Sequence, residues 1–149
     1  MTILPKFFLL DAGPVIELHC VGLWAEVVKR AELVVPSVVL REASFWDSGE
    51  GVGRPIYLSS DIEDGRLRVV EGTAQQIASV LARLDSVVQE RVHAGELEAI
   101  AALAHWPDEC PPQFCVADQL AVVVVCLLGL SDRPISLESS FGGLGWVAP

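Results

Sequence analysis

Two short apolar runs that end abruptly on an aspartate restrict this chain to few architectures. Phe7-Phe8-Leu9-Leu10 stops at Asp11, and Phe114-Cys115-Val116-Ala117 stops at Asp118. A brief, unbroken apolar run ahead of turn residues reads as a strand covered on both faces, the pattern of a parallel sheet. Gly13-Pro14 breaks the first run, and proline is accommodated in a first helical turn, so a helix can begin from Val15. Asp11 then stands at the carboxyl end of a buried strand, facing a helix start. Ligand chemistry collects at that edge of an open α/β sheet. For one such aspartate, capping of the following helix is the simpler explanation.

The rest of the chain repeats the unit. Val15, Ile16, Leu18, Leu23, Val27 and Val28 predict a helix over 15–30, kinked or divided at Gly22. Leu33-Val34-Val35 reads as a second buried strand. Pro36-Ser37 opens another helix, with Ser37 as its cap or first-turn residue. Residues 46–60 are rich in Gly, Ser and Pro and read as a long loop. Asp64-Gly65 turns the chain into a strand at Leu67-Arg68-Val69-Val70. Apolar spacing from Ile77 to Val88 predicts one helix beginning at Thr73, and a further helix starts near Gly95 and ends at Trp106-Pro107. Residues 119–128 form an apolar helix closed by Gly129, Pro134-Ile135-Ser136-Leu137 a last strand, and residues 141–149, with Trp146, a glycine-rich tail. The expected fold is one α/β domain over residues 1–149 with a mainly parallel sheet.

Composition narrows the function. The formal net charge is −10, which disfavours nucleic-acid binding through a broad basic surface, although carboxylates clustered around a divalent cation would mask part of that charge. No secretion signal stands out, because Asp11 cuts the first apolar run. The expected location is the cytoplasm, where cysteines stay reduced. Cys110 and Cys115 lack a second pair at zinc-ligand spacing and read as ordinary thiols. The apolar stretch 120–130 is about half the length that spans a bilayer, so no membrane role is expected.

Acidic residues recur where one sheet edge would gather them. Asp11 and Asp118 end strands, Glu42 follows the second strand, and Glu96 and Glu98 open a later helix after Gly95. Each helix-start acid has an ordinary explanation in the helix dipole. Carboxylates converging in space repel one another unless a cation holds them, and hard oxygen donors select Mg²⁺ or Mn²⁺. Such a cluster equips a site for two-metal phosphodiester hydrolysis. Glu96 and Glu98 diverge by roughly 200° if both are helical, so both reach one site only if Glu96 is still in the turn.

These segments resemble PIN domains. Phe8-Leu9-Leu10-Asp11-Ala12-Gly13-Pro14-Val15-Ile16 is similar to their opening strand and turn, and Val35-Pro36-Ser37-Val38-Val39-Leu40-Arg41-Glu42 to their second motif, whose glutamate is a metal ligand. Gly95-Glu96-Leu97-Glu98-Ala99-Ile100-Ala101 resembles the third acidic motif of one branch, and Val116-Ala117-Asp118-Gln119-Leu120-Ala121 the strand that ends in the last aspartate. Ile135-Ser136-Leu137-Glu138 resembles the family's final strand. The resemblance implies a PIN-like three-layer α/β/α sandwich and a Mg²⁺- or Mn²⁺-dependent ribonuclease acting on single-stranded RNA, often the toxin of a toxin–antitoxin pair. It implies Asp11, Glu42, Glu98 and Asp118 as catalytic residues, with Glu96 added to them as a metal ligand. An antitoxin protein and a homodimer are the implied partners.

The chain also departs from the family pattern. Ala117 and Val116 stand where many relatives carry a second Asp or a Thr, and Gln119 and Val122 where relatives often carry a basic residue. Arg133 is the one Lys or Arg after Arg91. Phosphate contact falls to Lys6, Arg41, Arg54, Arg66 or Arg68, with Arg41 best placed beside Glu42. The low basic count motivates a second reading, a PIN-like module without catalysis that acts by binding a protein. A phosphotransferase with Asp11 as nucleophile would want an acid two residues on, where Gly13 stands.

Overall fold

The computed structural model describes residues 6–47 and 53–141. Five strands form one sheet: β1 (Lys6–Leu10), β2 (Ala31–Pro36), β5 (Leu67–Val70), β6 (Gln113–Cys115) and β7 (Pro134–Ile135). Their order is β5-β2-β1-β6-β7, and every pairing is parallel. Leu9 of β1 lies opposite Val34 on one side and Phe114 on the other.

The period-2 alternation of the strands divides the core. Phe8, Leu10, Leu33 and Val35 face one side, where they meet Val15 and Leu18 of α1 (Ala12–Cys20) and Trp24, Val27 and Val28 of α2 (Trp24–Arg30). Leu9, Val34 and Phe114 face the other, against Ile100 and Leu103 of α7 (Ala94–Ala104) and Val124 and Val125 of α8 (Gln119–Leu127). Both faces are covered, which is why the central residues of these strands are consecutively apolar rather than alternating. Among the described residues no helix is long and apolar enough to cross a membrane.

The expected helix over 15–30 is divided at Gly22, one of the two outcomes its sequence allowed. Gly22 adopts φ +74° between α1 and α2, a conformation that β-carbon sterics deny to most residues. The expected helix from Thr73 also divides. Thr73 and Gln76 form a capping box at the start of α5 (Ala74–Leu81). Asp85 then accepts the Val88 amide at 3.0 Å and starts α6 (Ser86–Arg91), while Gln89 donates to the Leu81 and Leu84 carbonyls. Apolar spacing runs on across the break; the polar residues that close one helix and open the next mark it.

Three further expectations are corrected. The region read as a loop contains an antiparallel hairpin, β3 (Phe45–Asp47) with β4 (Gly53–Pro55), and then α4 (Ser59–Glu63), while residues 48–52 lie outside the described residues. Ser37 does not cap a helix: α3 (Val39–Glu42) starts from Val38 with no side-chain cap, and the Ser37 hydroxyl turns to Glu98. The last strand ends at Ile135, and Leu137 begins α9 (Leu137–Phe141). Phe141, read as tail, is fully buried and meets Phe8 edge-on at 4.9 Å between ring centres. Trp146 lies outside the described residues.

Candidate functional site

The strand order reverses direction at β1, with β2 and β5 to one side and β6 and β7 to the other. Connections leave the carboxyl ends of β1 and β6 in opposite senses there and open a crevice. Asp11 follows β1 directly, and its amide donates to the Cys115 carbonyl of β6 at 3.3 Å, so the end of β1 is tied to its neighbour. Asp118 follows β6 after Val116 and Ala117 and begins α8. Both aspartates therefore arise where a buried strand gives way to a helix.

Their carboxylates are used differently. Asp118 caps α8: its Oδ1 accepts the Leu120 amide at 2.8 Å and the Ala121 amide at 3.2 Å. Asp11 holds the N-cap position of α1 with extended backbone, φ −76° and ψ 171°, but makes no side-chain capping bond. Capping thus does not account for Asp11. Its pKa is raised, first by burial and then by the charge of Asp118, against a lowering pull from the Ala12 amide.

Glu96 joins them. It lies in the first turn of α7, only 6% exposed, and its Oε2 is buried with no hydrogen-bond partner. Burial, then Asp118, then Asp11 push its pKa up to about 7, while His93 pulls the other way. A buried carboxylate oxygen without a donor is costly, and this one lies beside two other acids.

Glu42 comes in from α3. It is exposed, and a β-carbon on Gly95 would stand 2.6 Å from its Oε2. The absence of a side chain at Gly95 is what lets the Glu42 carboxylate lie against the first turn of α7. Glu98 takes a separate task. Its carboxylate accepts the Ser37 hydroxyl at 2.8 and 3.0 Å and the Val38 amide at 3.0 Å, pinning the β2–α3 turn to α7. Glu96 and Glu98 are both inside α7, so their side chains leave on different faces. Glu96 faces Asp11 and Asp118, and Glu98 faces Ser37.

Arg41 is exposed on α3, one residue from Glu42. Of the other basic candidates, Arg66 pairs with Asp64 at 3.9 Å and Arg68 lies over the Trp106 ring at 5.8 Å. Arg54 is exposed in β4, and the Lys6 side chain lies outside the described residues. His93, unexpected in this cluster from the acidic motifs alone, caps α7 by position and acts electrostatically on both Asp11 and Glu96. The signal was its place three residues ahead of Glu96.

The donor set is hard oxygen, the chemistry that Mg²⁺ or Mn²⁺ prefers, and Glu96 Oε2 has no hydrogen-bond partner. Among the described residues, however, no three His, Cys, Asp or Glu side chains already stand at the spacing that grips a metal ion. The acids are near enough to perturb one another without forming a closed shell. Comparison of the sequence with models of known protein families and with curated proteins gives no match.

Proposed function

We propose that this chain is a PIN-like, Mg²⁺- or Mn²⁺-dependent ribonuclease that hydrolyses phosphodiester bonds of single-stranded RNA, in the role of toxin of a toxin–antitoxin pair. The observation that carries the metal reading is the buried Glu96 Oε2, which has no hydrogen-bond partner and stands within electrostatic reach of Asp118 and Asp11. The choice of RNA and the toxin role rest on the sequence resemblance.

In this reading Asp11, Glu96 and Asp118 hold the cation, and Glu42 adds a carboxylate from α3. A divalent cation bound there supplies an acidified water and neutralises charge on the scissile phosphate. The capping bonds of Asp118 fix its Oδ1 at the start of α8. Glu98 acts as a positioning residue, holding the turn that carries α3 and therefore Glu42. Arg41 provides positive charge beside Glu42 for a backbone phosphate. Val123 and Leu127, 50% and 61% exposed on α8, offer apolar area to a second copy.

Titration calorimetry of Mn²⁺ into the wild type and Asp11→Asn, followed by incubation of both with a labelled single-stranded RNA, tests this. Heat of binding and cleavage that both disappear in Asp11→Asn are expected. Cleavage that persists in Asp11→Asn and Asp118→Asn sinks the nuclease reading. The alternative, a PIN-like module that binds a protein, is favoured by the net charge of −10 and the unclosed donor set. An absence of Mn²⁺ binding leaves that alternative standing.

A further inference from the structure

A cavity of about 340 Å³ opens on the α1 face of the sheet, among the turns at its carboxyl edge. It is lined by Pro14 and Glu17 of α1, Val116 and Ala117 after β6, and Ser136 and Leu137 after β7. Three consecutive turns at the carboxyl edge thus contribute to it, and two of them carry Asp11 and Asp118. Ala117 adjoins Asp118 in sequence, and Pro14 sits in the turn of helix that Asp11 begins. Whatever fills the cavity therefore rests on the same turns that carry Asp11 and Asp118. Its volume is at the small end of the roughly 300–1,000 Å³ that ligand pockets span, enough for one planar base.

The walls are mostly apolar, and the polar side chains differ in availability. The Ser136 hydroxyl donates to Ser139 Oγ and accepts the Ser139 amide, so it is committed within α9. Among the described residues no hydrogen bond or ion pair engages the Glu17 carboxylate. The cavity therefore offers mostly apolar contact, with the Glu17 carboxylate on its wall as an acceptor. A carboxylate accepts only. Adenine and cytosine place a ring acceptor beside their amino group, and uracil flanks its single N–H with two carbonyls, so each sets a lone pair against one carboxylate oxygen. Guanine alone presents two adjacent donors, N1–H and the N2 amino group.

We propose that this cavity is a guanine-binding subsite in which Glu17 accepts N1–H and N2–H, making Glu17 a specificity-determining residue for RNA cleaved next to a guanosine. The inference rests on the reading of the acidic cluster as a ribonuclease site, but base binding itself needs neither metal nor phosphate.

The test titrates the uncharged nucleosides guanosine, adenosine, cytidine and uridine into the full chain without divalent cation, read by amide NMR shifts. Guanosine is expected to shift the amides of Glu17, Ala117 and Leu137 and to bind about tenfold tighter than the other three, within what a bidentate base contact supplies. Glu17→Gln, which puts a donor in place of one acceptor, should remove that preference. Ala117→Leu, which fills the cavity, should weaken all four. Equal binding of the four nucleosides, no binding, or an undiminished guanosine preference in Glu17→Gln overturns the proposal. Cleavage with Mn²⁺ separates the two readings. Guanosine preference without metal-dependent cleavage removes the nuclease and keeps the subsite, whereas cleavage without guanosine preference removes the subsite and keeps the nuclease.

Discussion

Glu42 and Gly95 meet so closely that a single methyl group on Gly95 would stand 2.6 Å from the Glu42 carboxylate. The contact joins α3 to the N-terminus of α7, and it is open on the solvent side, since Glu42 is exposed. Gly95→Ala therefore moves only the end of a flexible side chain. Alanine is also the better helix former, by up to about 1 kcal/mol. The variant should melt at or above the wild-type temperature and yet cleave RNA more slowly, because Glu42 has been pushed aside. Thermal denaturation beside a cleavage assay checks both halves. A variant with wild-type activity would separate Glu42 from the chemistry.

Glu96 makes stability depend on pH. Its pKa rises from 4.5 to about 7 on folding, through burial and then the charges of Asp118 and Asp11. Between those values the folded chain keeps a proton that the unfolded chain releases. This contribution is fully present below about pH 4.5 and is lost as pH rises through about 7, with a span on the order of 1–3 kcal/mol. Glu96→Gln stays neutral and should flatten that part of the curve, melting higher than the wild type at pH 8. Urea unfolding from pH 4.5 to 8 measures it; parallel curves for the two proteins would show that Glu96 is not the titrating group.

Glu98 and Glu96 should respond oppositely to the same substitution. Glu98→Gln keeps an oxygen to accept the Ser37 hydroxyl and the Val38 amide, so fold and cleavage should both survive. Glu98→Ala leaves those donors unpaired and should cost about 1–3 kcal/mol. Glu96→Gln should abolish cleavage while the protein stays folded. Loss of cleavage in Glu98→Gln without loss of stability would make Glu98 a ligand rather than a clamp.

The two aspartates divide in the same way. Asp118 caps α8, so Asp118→Ala should lose about 0.5–2 kcal/mol while Asp118→Asn, which still offers an acceptor, loses little. Asp11 makes no side-chain cap and carries a charge that its surroundings disfavour. Asp11→Asn should therefore match or exceed the wild type in stability at pH 7. Chemical denaturation of the three variants decides this, and a strongly destabilised Asp11→Asn would give Asp11 a structural task instead.

The parallel sheet was legible because burial on both faces leaves unbroken apolar runs, Phe7–Leu10 in β1, Leu33–Val35 in β2 and Phe114-Cys115 in β6, and because glycine and proline lie near their ends. Helix breaks were not legible where the apolar spacing runs through them: Asp85 and Gln89 divide α5 from α6 through hydrogen bonds that spacing does not record. The hairpin of β3 and β4 was hidden for a related reason, since its connection is rich in the residues that also make loops.

Residue types and order along the chain identified Asp11, Glu42, Glu96, Glu98 and Asp118 as a set. Sequence spacing also required that Glu96 and Glu98 diverge once both were helical, and α7 holds both. It did not say which of them would face the crevice. That depends on how α7 is rotated against the sheet, which Ile100 and Leu103 determine by packing beneath it, and on the β2–α3 turn, whose Ser37 and Val38 donors claim Glu98. The same distinction separates Asp11 from Asp118. Both end an apolar strand in the sequence, but one carboxylate is taken by helix amides and the other is not, a difference of side-chain direction that arises only when three segments distant along the chain are folded against one edge.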